Sequence, residues 1–404
     1  MLNDKQKLIY KNAINHIFNS SYQTYEFAGY AGTGKSYLLF CILEELQRRG
    51  IKKHEIAPMT FSGQAAMVLR MKGLTNAKTI HSWLYMPTII DKVEEDNGQQ
   101  IPLYDDYYGT PKKTLIFDPL LKLEGIKVII VDEAYQVPEY IRKDIDRLGI
   151  KVIACGDSGQ LPPTEGNPGY LTDPNIDTLD EIMRQKSGSN IIYIADRCRR
   201  GLPLLPGFYN DVLIIERKDL NYNMLCGSDI VLCATNKTKN YFNNLIRRDL
   251  FGIKNDLPVM NDRMICKKNN WHKSIMDIAL ANGLTGTVVS APDANQFDGI
   301  NYTMDFKPDF LSIPFKELKC NYEFLMTQDQ KVKQRIKATR NRGIQELFEY
   351  NYASTTYSAQ GSQYANGIYI EEFFYNAQNQ LNYTGITRFK NSAIYVLPNR
   401  KKYW

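Results

Sequence analysis

Tyr25-Glu26-Phe27-Ala28-Gly29-Tyr30-Ala31-Gly32-Thr33-Gly34-Lys35-Ser36 is the stretch on which the fold turns. Tyr25–Ala28 reads as a short strand, and Ser36–Arg49 reads as a helix that stops near Gly50. Between them, residues 29–36 fit the pattern G-x-x-x-x-G-K-S. Gly29, Gly32 and Gly34 let the backbone curl around Thr33, so that several N–H groups point at phosphate oxygens. The start of the helix adds a favourable dipole for an anion. Lys35 supplies a point charge for the β- and γ-phosphates, and the Ser36 hydroxyl can ligate Mg²⁺. A glycine loop could arise by chance, but the strand–loop–helix context favours a nucleotide site.

Working outward, Lys5–Asn19 carries Leu8, Ile9, Ala13, Ile14 and Ile17 at helical spacing. Ile126–Val131 is an apolar run broken only by Lys127, as in a buried parallel strand, and it ends in Asp132-Glu133. Asp132 is suited to holding Mg²⁺, and Glu133 to polarising an attacking water. Two adjacent acids could instead cap a helix; the phosphate loop upstream favours the catalytic reading. Lys151–Cys155 is a further strand, followed by Gly156-Asp157-Ser158-Gly159-Gln160-Leu161-Pro162-Pro163. A polar loop at the carboxyl end of a parallel strand is where α/β sheets contact ligands, so Gln160 is a candidate γ-phosphate sensor. A plain Gly-Pro turn is the alternative. Strands alternating with helices imply an α/β fold with a doubly wound parallel sheet.

At 404 residues the chain calls for two or more domains. The net charge of +6, from 50 basic and 44 acidic residues, permits nucleic-acid binding without requiring it. No apolar run is long enough to span a membrane, and Met1-Leu2-Asn3-Asp4-Lys5 lacks the apolar core of a signal peptide. The expected location is therefore cytoplasmic, the host cytoplasm for a phage-encoded chain. Seven scattered cysteines without a C-x-x-C pair, and only four histidines, argue against a zinc site or a disulfide framework.

Pro87–Pro119 interrupts the pattern with polar, turn-rich sequence, in which Asp96-Asn97-Gly98 suits a hairpin between Ile89–Glu95 and Gln99–Tyr104. A second lobe begins after Arg200-Gly201, with a strand at Ile230–Ala234 and a helix from Lys237 to Leu250. Pro258 to Arg342 turns β-like and then charged. The α/β pattern returns with Gly367–Ile370 and Ala393–Leu397.

These segments occur in the order found in superfamily 1 helicases, and the whole chain resembles their RecD- and Dda-like branch, often called 1B. Leu2-Asn3-Asp4-Lys5-Gln6 resembles the N-terminal glutamine motif, and Thr60-Phe61-Ser62-Gly63-Gln64-Ala65-Ala66 resembles motif Ia, with Thr79-Ile80-His81 following. Leu179-Asp180-Glu181-Ile182-Met183-Arg184-Gln185 resembles a segment carrying an arginine finger. Ala234-Thr235-Asn236 resembles the start of the second lobe's motor motifs. Asn282–Val288 resembles a stretch of the SH3-like insertion. Tyr352–Gly361 with Ser362 resembles motif V, and Tyr383-Thr384-Gly385-Ile386-Thr387-Arg388 resembles motif VI. The departures are Phe61 for proline in motif Ia, Tyr357-Ser358-Ala359 for His-Lys-Ser and Gln363 for glutamate in motif V, and Phe389 after the motif VI arginine.

The resemblance implies two RecA-like lobes with MgATP hydrolysed between them and 5′→3′ movement on single-stranded DNA by a monomeric motor, with replication or recombination proteins as possible partners. RNA as the strand, or a nucleotide-gated remodelling ATPase without unwinding, stand as alternatives. Lobe 1 is expected over 1–86 and 118–200, with a small insertion at 87–117 where the family keeps its strand-separating pin; Ile101, Pro102 and Tyr104 are the candidates. Lobe 2 is expected over 201–257 and 343–404, with an SH3-like β insertion at 258–342. The resemblance gives Gln6 an adenine contact, groups Gly361 with the nucleotide site, and brings Arg184 and Arg388 to the γ-phosphate; an interlobe ion pair is the other reading of Arg388. Ser62, Gly63, Thr235, Asn236 and Thr356 are candidate strand contacts. His81 and Trp83 are either base stackers or, respectively, a hydrogen-bonded core histidine and a buried anchor.

Overall fold

The strand that feeds the glycine loop lies second in a six-stranded parallel sheet, ordered Asp177–Leu179, Thr24–Gly29, Lys151–Gly156, Val128–Asp132, Ile56–Thr60 and Lys78–Thr79. The structure, a computed structural model, describes residues 2–91, 93–96, 99–102, 113–181, 189–275, 278–292, 297–338, 345–374 and 376–398. The order follows from composition. Ile56–Thr60 and the first four residues of Val128–Asp132 are buried throughout, so both faces of the sheet must be covered. On one face Phe27, Ile130 and Ile153 pack with Ile9, Ala13 and Ile14 of helix Asp4–Asn19 and with Leu38, Leu39 and Ile42 of helix Lys35–Arg48. On the other, Ile129, Val131 and Val152 pack with Ile141 and Ile145 of helix Glu139–Asp146.

A second six-stranded sheet runs Gly207–Tyr209, Val212–Glu216, Phe389–Leu397, Tyr364–Ile370, Val231–Cys233 and Ala353–Thr355. Only its edge pair, Gly207–Tyr209 with Val212–Glu216, is antiparallel. It too is cored on both faces. The α/β class with two doubly wound lobes thus holds.

Two boundaries differ from the sequence reading. Helix Ile191–Arg199 packs Ile191, Ile194, Ala195 and Cys198 against Ile214, Tyr369, Tyr383 and Tyr395, so it belongs to the second lobe's core and not to a first lobe ending at 200. In the second insertion, a five-stranded antiparallel sheet runs Phe315–Asn321, Asn301–Pro308, Thr285–Ser290, Arg263–Cys266 and Phe348–Tyr350. Its last strand lies beyond residue 342. In the first insertion Val93–Asp96 pairs with Gln99–Pro102, a shorter hairpin at the expected turn, while Tyr85–Asp91 pairs with Lys113–Pro119, so Ile89–Asp91 faces Lys113–Leu115 and not the arm after Gly98. Tyr104 lies outside the described residues, as do the side chains of Ile101 and Pro102. All seven cysteines are free thiols. Among the described residues no helix is long and apolar enough to cross a membrane.

Candidate functional site

Three neighbouring strands of the first sheet, Thr24–Gly29, Lys151–Gly156 and Val128–Asp132, end side by side. Their carboxyl-end loops are the three singled out in the sequence. The glycine loop carries Gly32 and Gly34 at φ 81° and 85°, the left-handed region glycine tolerates. A Cβ on Gly29 would stand 2.7 Å from the Lys35 Cγ and 2.9 Å from the Thr33 hydroxyl, so that position admits no side chain. Thr33 is buried and donates its hydroxyl to the Tyr30 carbonyl at 2.8 Å, which holds the curl. Lys35 donates to the carbonyls of Gly29 and Tyr30 and stands 3.8 Å from a carboxylate oxygen of the buried Asp157.

Asp132 accepts from the Glu133 N–H at 2.9 Å and from the Cys155 thiol at 3.4 Å, so its carboxylate is fixed at the strand end. Glu133 has φ 54° and ψ 38°, a backbone state that costs a non-glycine residue about 1–3 kcal/mol and collects at functional sites. Burial raises the Glu133 carboxyl above its ordinary range. The Asp132 charge adds to this, and Arg388 and Lys35 oppose it. Gln160 is buried, donates to Asp157 at 3.3 Å, and among the described residues its amide oxygen has no hydrogen-bond partner.

These groups line a cleft of about 860 Å³ between the lobes. Gly32, Gly34, Lys35, Ser36, Asp132, Glu133 and Gln160 come from the first lobe; Gly361 and Arg388 come from the second. Arg388 is only 5% exposed. It donates to the Thr384 carbonyl at 3.1 Å and the Thr387 hydroxyl at 3.3 Å, and no acidic side chain pairs with it among the described residues. The ion-pair reading of Arg388 therefore fails. Gly361, at φ 77°, sits where a Cβ would meet the Ser62 hydroxyl at 2.7 Å, so motif V packs directly on the first lobe. A larger groove of about 1010 Å³, lined by Met67, Met71, Phe251 and Phe310, contains neither Lys35 nor Arg388; size does not mark the site.

Other expected residues are placed differently. Arg184 lies outside the described residues. Gln6 is 1% exposed. Its amide oxygen accepts from the Asn3 N–H at 3.1 Å and its amide nitrogen donates to the Thr33 carbonyl at 3.0 Å, so it braces the glycine loop from a buried position. Trp83 donates its ring N–H to the Pro58 carbonyl at 3.1 Å and packs on the core, as the anchor reading has it. His81 is half-buried between Phe61 and Tyr85, and burial lowers its pKa. Thr356 is fully buried and bonds the Cys233 carbonyl through both N–H and hydroxyl, at 2.8 and 3.2 Å; it cannot touch a strand in this arrangement. Ser62 caps helix Gly63–Met71 through the Ala65 N–H at 3.1 Å. A Cβ on Gly63 would come within 3.0 Å of Ala281 in the second insertion. Thr235 caps helix Asn236–Asn244 and shares Glu372 with Thr238, while Asn236 is exposed.

Several residues were missed. Lys72 and Lys390 add positive charge to the cleft, and Tyr37 and Phe40 give it an aromatic wall. Phe373 and Phe374 follow Glu372 at the end of strand Tyr364–Ile370, with Phe373 69% exposed. A doubled phenylalanine past a strand end was a readable signal.

Among the described residues no group of three or more His, Cys, Asp or Glu is arranged to hold a metal. The Ser36 hydroxyl and the Asp132 carboxylate are hard oxygen donors lining one cleft, a pair that suits an Mg²⁺ otherwise held by phosphate and water.

A family model described as "AAA domain" matches residues 1–212. No curated protein sequence matches the chain. Among solved structures, the Pif1 helicase of Candida albicans is 16% identical with a TM-score of 0.51, covering 99% of this chain and 95% of its own. A Bacteroides Pif1 helicase in complex with ADP-AlF3 and single-stranded DNA is 15% identical with a TM-score of 0.54, covering 98% and 92%. Bacteroides Pif1 bound to single-stranded DNA is 16% identical, with the same score and coverage. The likeness spans both lobes and both insertions and establishes a common fold.

Proposed function

The chain belongs to the AAA domain family, matched over residues 1–212 of 404, and from that premise we propose that it is an ATP-driven DNA helicase moving along single-stranded DNA. One observation carries this reading: Arg388 of the second lobe enters the cleft that holds Lys35, Glu133 and Gln160 of the first, with no acidic side chain in an ion pair with it among the described residues. A cation supplied across a seam makes hydrolysis depend on closure, and repeated closure is how a two-lobed ATPase steps.

In this scheme Ser36 and Asp132 would hold Mg²⁺ beside the phosphates, where it would neutralise part of their charge. Lys35 leaves its loop carbonyls for the β- and γ-phosphates. Glu133 takes the proton of the attacking water, Gln160 turns its free amide oxygen to that water, and Arg388 steadies the charge that develops on the γ-phosphate. Tyr37 and Phe40 are the assigned wall for the base, in place of Gln6. The strand follows the carboxyl edges of both sheets, past His81 on the first lobe and Asn236 and Phe373 on the second. Movement 5′→3′, a monomeric state, a cytoplasmic site of action and replication or recombination partners belong to the same proposal, on the resemblance of the motifs.

The test is strand displacement from duplexes carrying a 5′ or a 3′ single-stranded tail. Unwinding of the 5′-tailed duplex alone is expected; unwinding of only the 3′-tailed one overturns the polarity. A second reading, a strand-gated ATPase without unwinding, is favoured by the buried Thr356 and the altered motif V. It predicts ATPase stimulation with no displaced strand from either duplex. Stimulation by poly-U above poly-dT would move the substrate to RNA.

A further inference from the structure

We propose that Tyr383 is a positioning residue through which closure of the second lobe sets the phosphate loop and its lysine. Tyr383 lies on helix Gln378–Ile386, five residues before Arg388, and is 2% exposed. Its hydroxyl crosses to the first lobe. It accepts from the Ala31 N–H of the glycine loop at 2.7 Å and donates to the Asp157 Oδ2 at 2.6 Å. The phosphate chemistry described above uses neither bond.

Asp157 is the centre of the arrangement. It is 1% exposed, and its Oδ1 accepts from the Gly159 N–H at 3.0 Å. Its Oδ2 receives the Tyr383 hydroxyl, stands 3.3 Å from the Gln160 amide nitrogen, and is 3.8 Å from the Lys35 ammonium. One buried oxygen therefore meets the loop lysine, the sensor glutamine and a side chain of the other lobe. A buried carboxylate that loses a donor recruits another, because an unsatisfied charge in a dry site is costly. When Tyr383 withdraws with its lobe, the donors left to Oδ2 are Gln160 and Lys35, and the lysine is drawn from the phosphates toward Asp157. When the lobe closes, Tyr383 satisfies Oδ2, and Lys35 is released toward the nucleotide. Burial raises the Tyr383 phenol, which keeps the proton it must donate.

The neighbouring contacts move with the same body. The Leu161 N–H donates to the Thr384 hydroxyl at 3.0 Å, the Gln360 amide donates to the Leu161 carbonyl at 3.1 Å, and Arg199 stacks on the Tyr30 ring at 4.0 Å. Tyr30 and Ala31 are thus both gripped by the second lobe, directly before Gly32.

The inference rests on the helicase reading only in its choice of stimulant, and two readouts separate them. The first is native-state hydrogen exchange of the Ala31 amide in wild type and Y383F, which needs no turnover. Faster exchange at Ala31 in Y383F is expected, with strand Thr285–Ser290 of the second insertion and the melting temperature unchanged; equal exchange at Ala31 overturns the latch. The second is MgATP turnover with single-stranded DNA for wild type, Y383F, D157N and the double variant. Y383F should lose about tenfold in kcat, the scale of one hydrogen bond to a charged group. Its KM for ATP should rise by no more than the same factor, because Lys35, drawn toward Asp157, gives up part of its hold on the β- and γ-phosphates. The double variant should be no slower than D157N, since both changes break one linkage. Additive losses, or a Y383F effect confined to KM, overturn the proposal. A wild type that the strand does not stimulate defeats the helicase reading, and the exchange comparison still decides the latch.

Discussion

Glu133 shows how one residue's chemistry is set by its place. The strand end forces it into a left-handed backbone, burial lifts its carboxyl, and Arg388 and Lys35 pull the other way. A base with a raised pKa is protonated over a wider range of low pH, so turnover should rise with pH through a limb above the ordinary range of glutamate. E133Q keeps the shape and removes the base. It should cut kcat by about 10²–10⁴-fold and abolish that limb in a pH–rate profile; a profile unchanged in E133Q assigns the limb to another group. At this scale the sequence was legible where a residue's role is written in its neighbours. The glycine loop, Asp132, Glu133 and Arg388 all lie in local patterns, and all reach the cleft. It was illegible where the partner lies far along the chain. Tyr383 and Asp157 are 226 residues apart, and no local pattern joins them. Gln6 and Thr356 are placed differently for the converse reason, since a polar side chain in a motif does not reveal that its own chain already satisfies it.

Among the elements, strands Thr24–Gly29, Val128–Asp132 and Lys151–Gly156 of the first sheet and Val231–Cys233, Tyr364–Ile370 and Phe389–Leu397 of the second were legible as short apolar runs, while the shorter edge strands and Ile56–Thr60 were not. Helix Ile191–Arg199 was put in the wrong lobe, because an apolar stripe shows that a helix packs but not on which sheet. Strand Phe348–Tyr350 was missed as part of the insertion because three residues carry too little period to register. That strand anchors a charge cluster: Glu349 takes Lys239 at 3.0 Å and also Lys333, with Lys267 nearby. Burial lowers Lys267 from lysine's 10.5 to about 8; Glu349 opposes this, and Lys239 adds to it. The unfolded chain therefore keeps this proton to higher pH than the folded one, so stability rises as pH climbs from about 8 toward 10.5. K267M should flatten that rise and be the more stable form at pH 7, as urea unfolding at pH 7 and 9.5 will read. The loop after strand Tyr364–Ile370 carries the exposed Phe373. A stacked base contributes roughly 1–3 kcal/mol, so F373A should weaken binding of a single strand by about 5- to 150-fold, with ATP binding unaffected, in a fluorescence anisotropy titration.

For the whole molecule, the account is that neither lobe is an enzyme alone. The first lobe holds the phosphate loop, the acids and the sensor; the second brings Arg388 into the same cleft and grips the loop at Ala31 through Tyr383. Two such bodies were legible in the order of segments along the chain. Of their seam, Arg388 was legible through its motif, whereas the contacts of Tyr383 with Ala31 and Asp157 were not, because they join residues that meet only after both lobes have folded. The most direct measurement is single-strand-stimulated ATP turnover of R388A beside wild type, with nucleotide affinity taken on the same samples. The account expects kcat to fall by about 10³–10⁵-fold while nucleotide affinity stays within a few-fold, since the arginine acts on charge that appears during hydrolysis. An R388A protein that turns over ATP at the wild-type rate would contradict it.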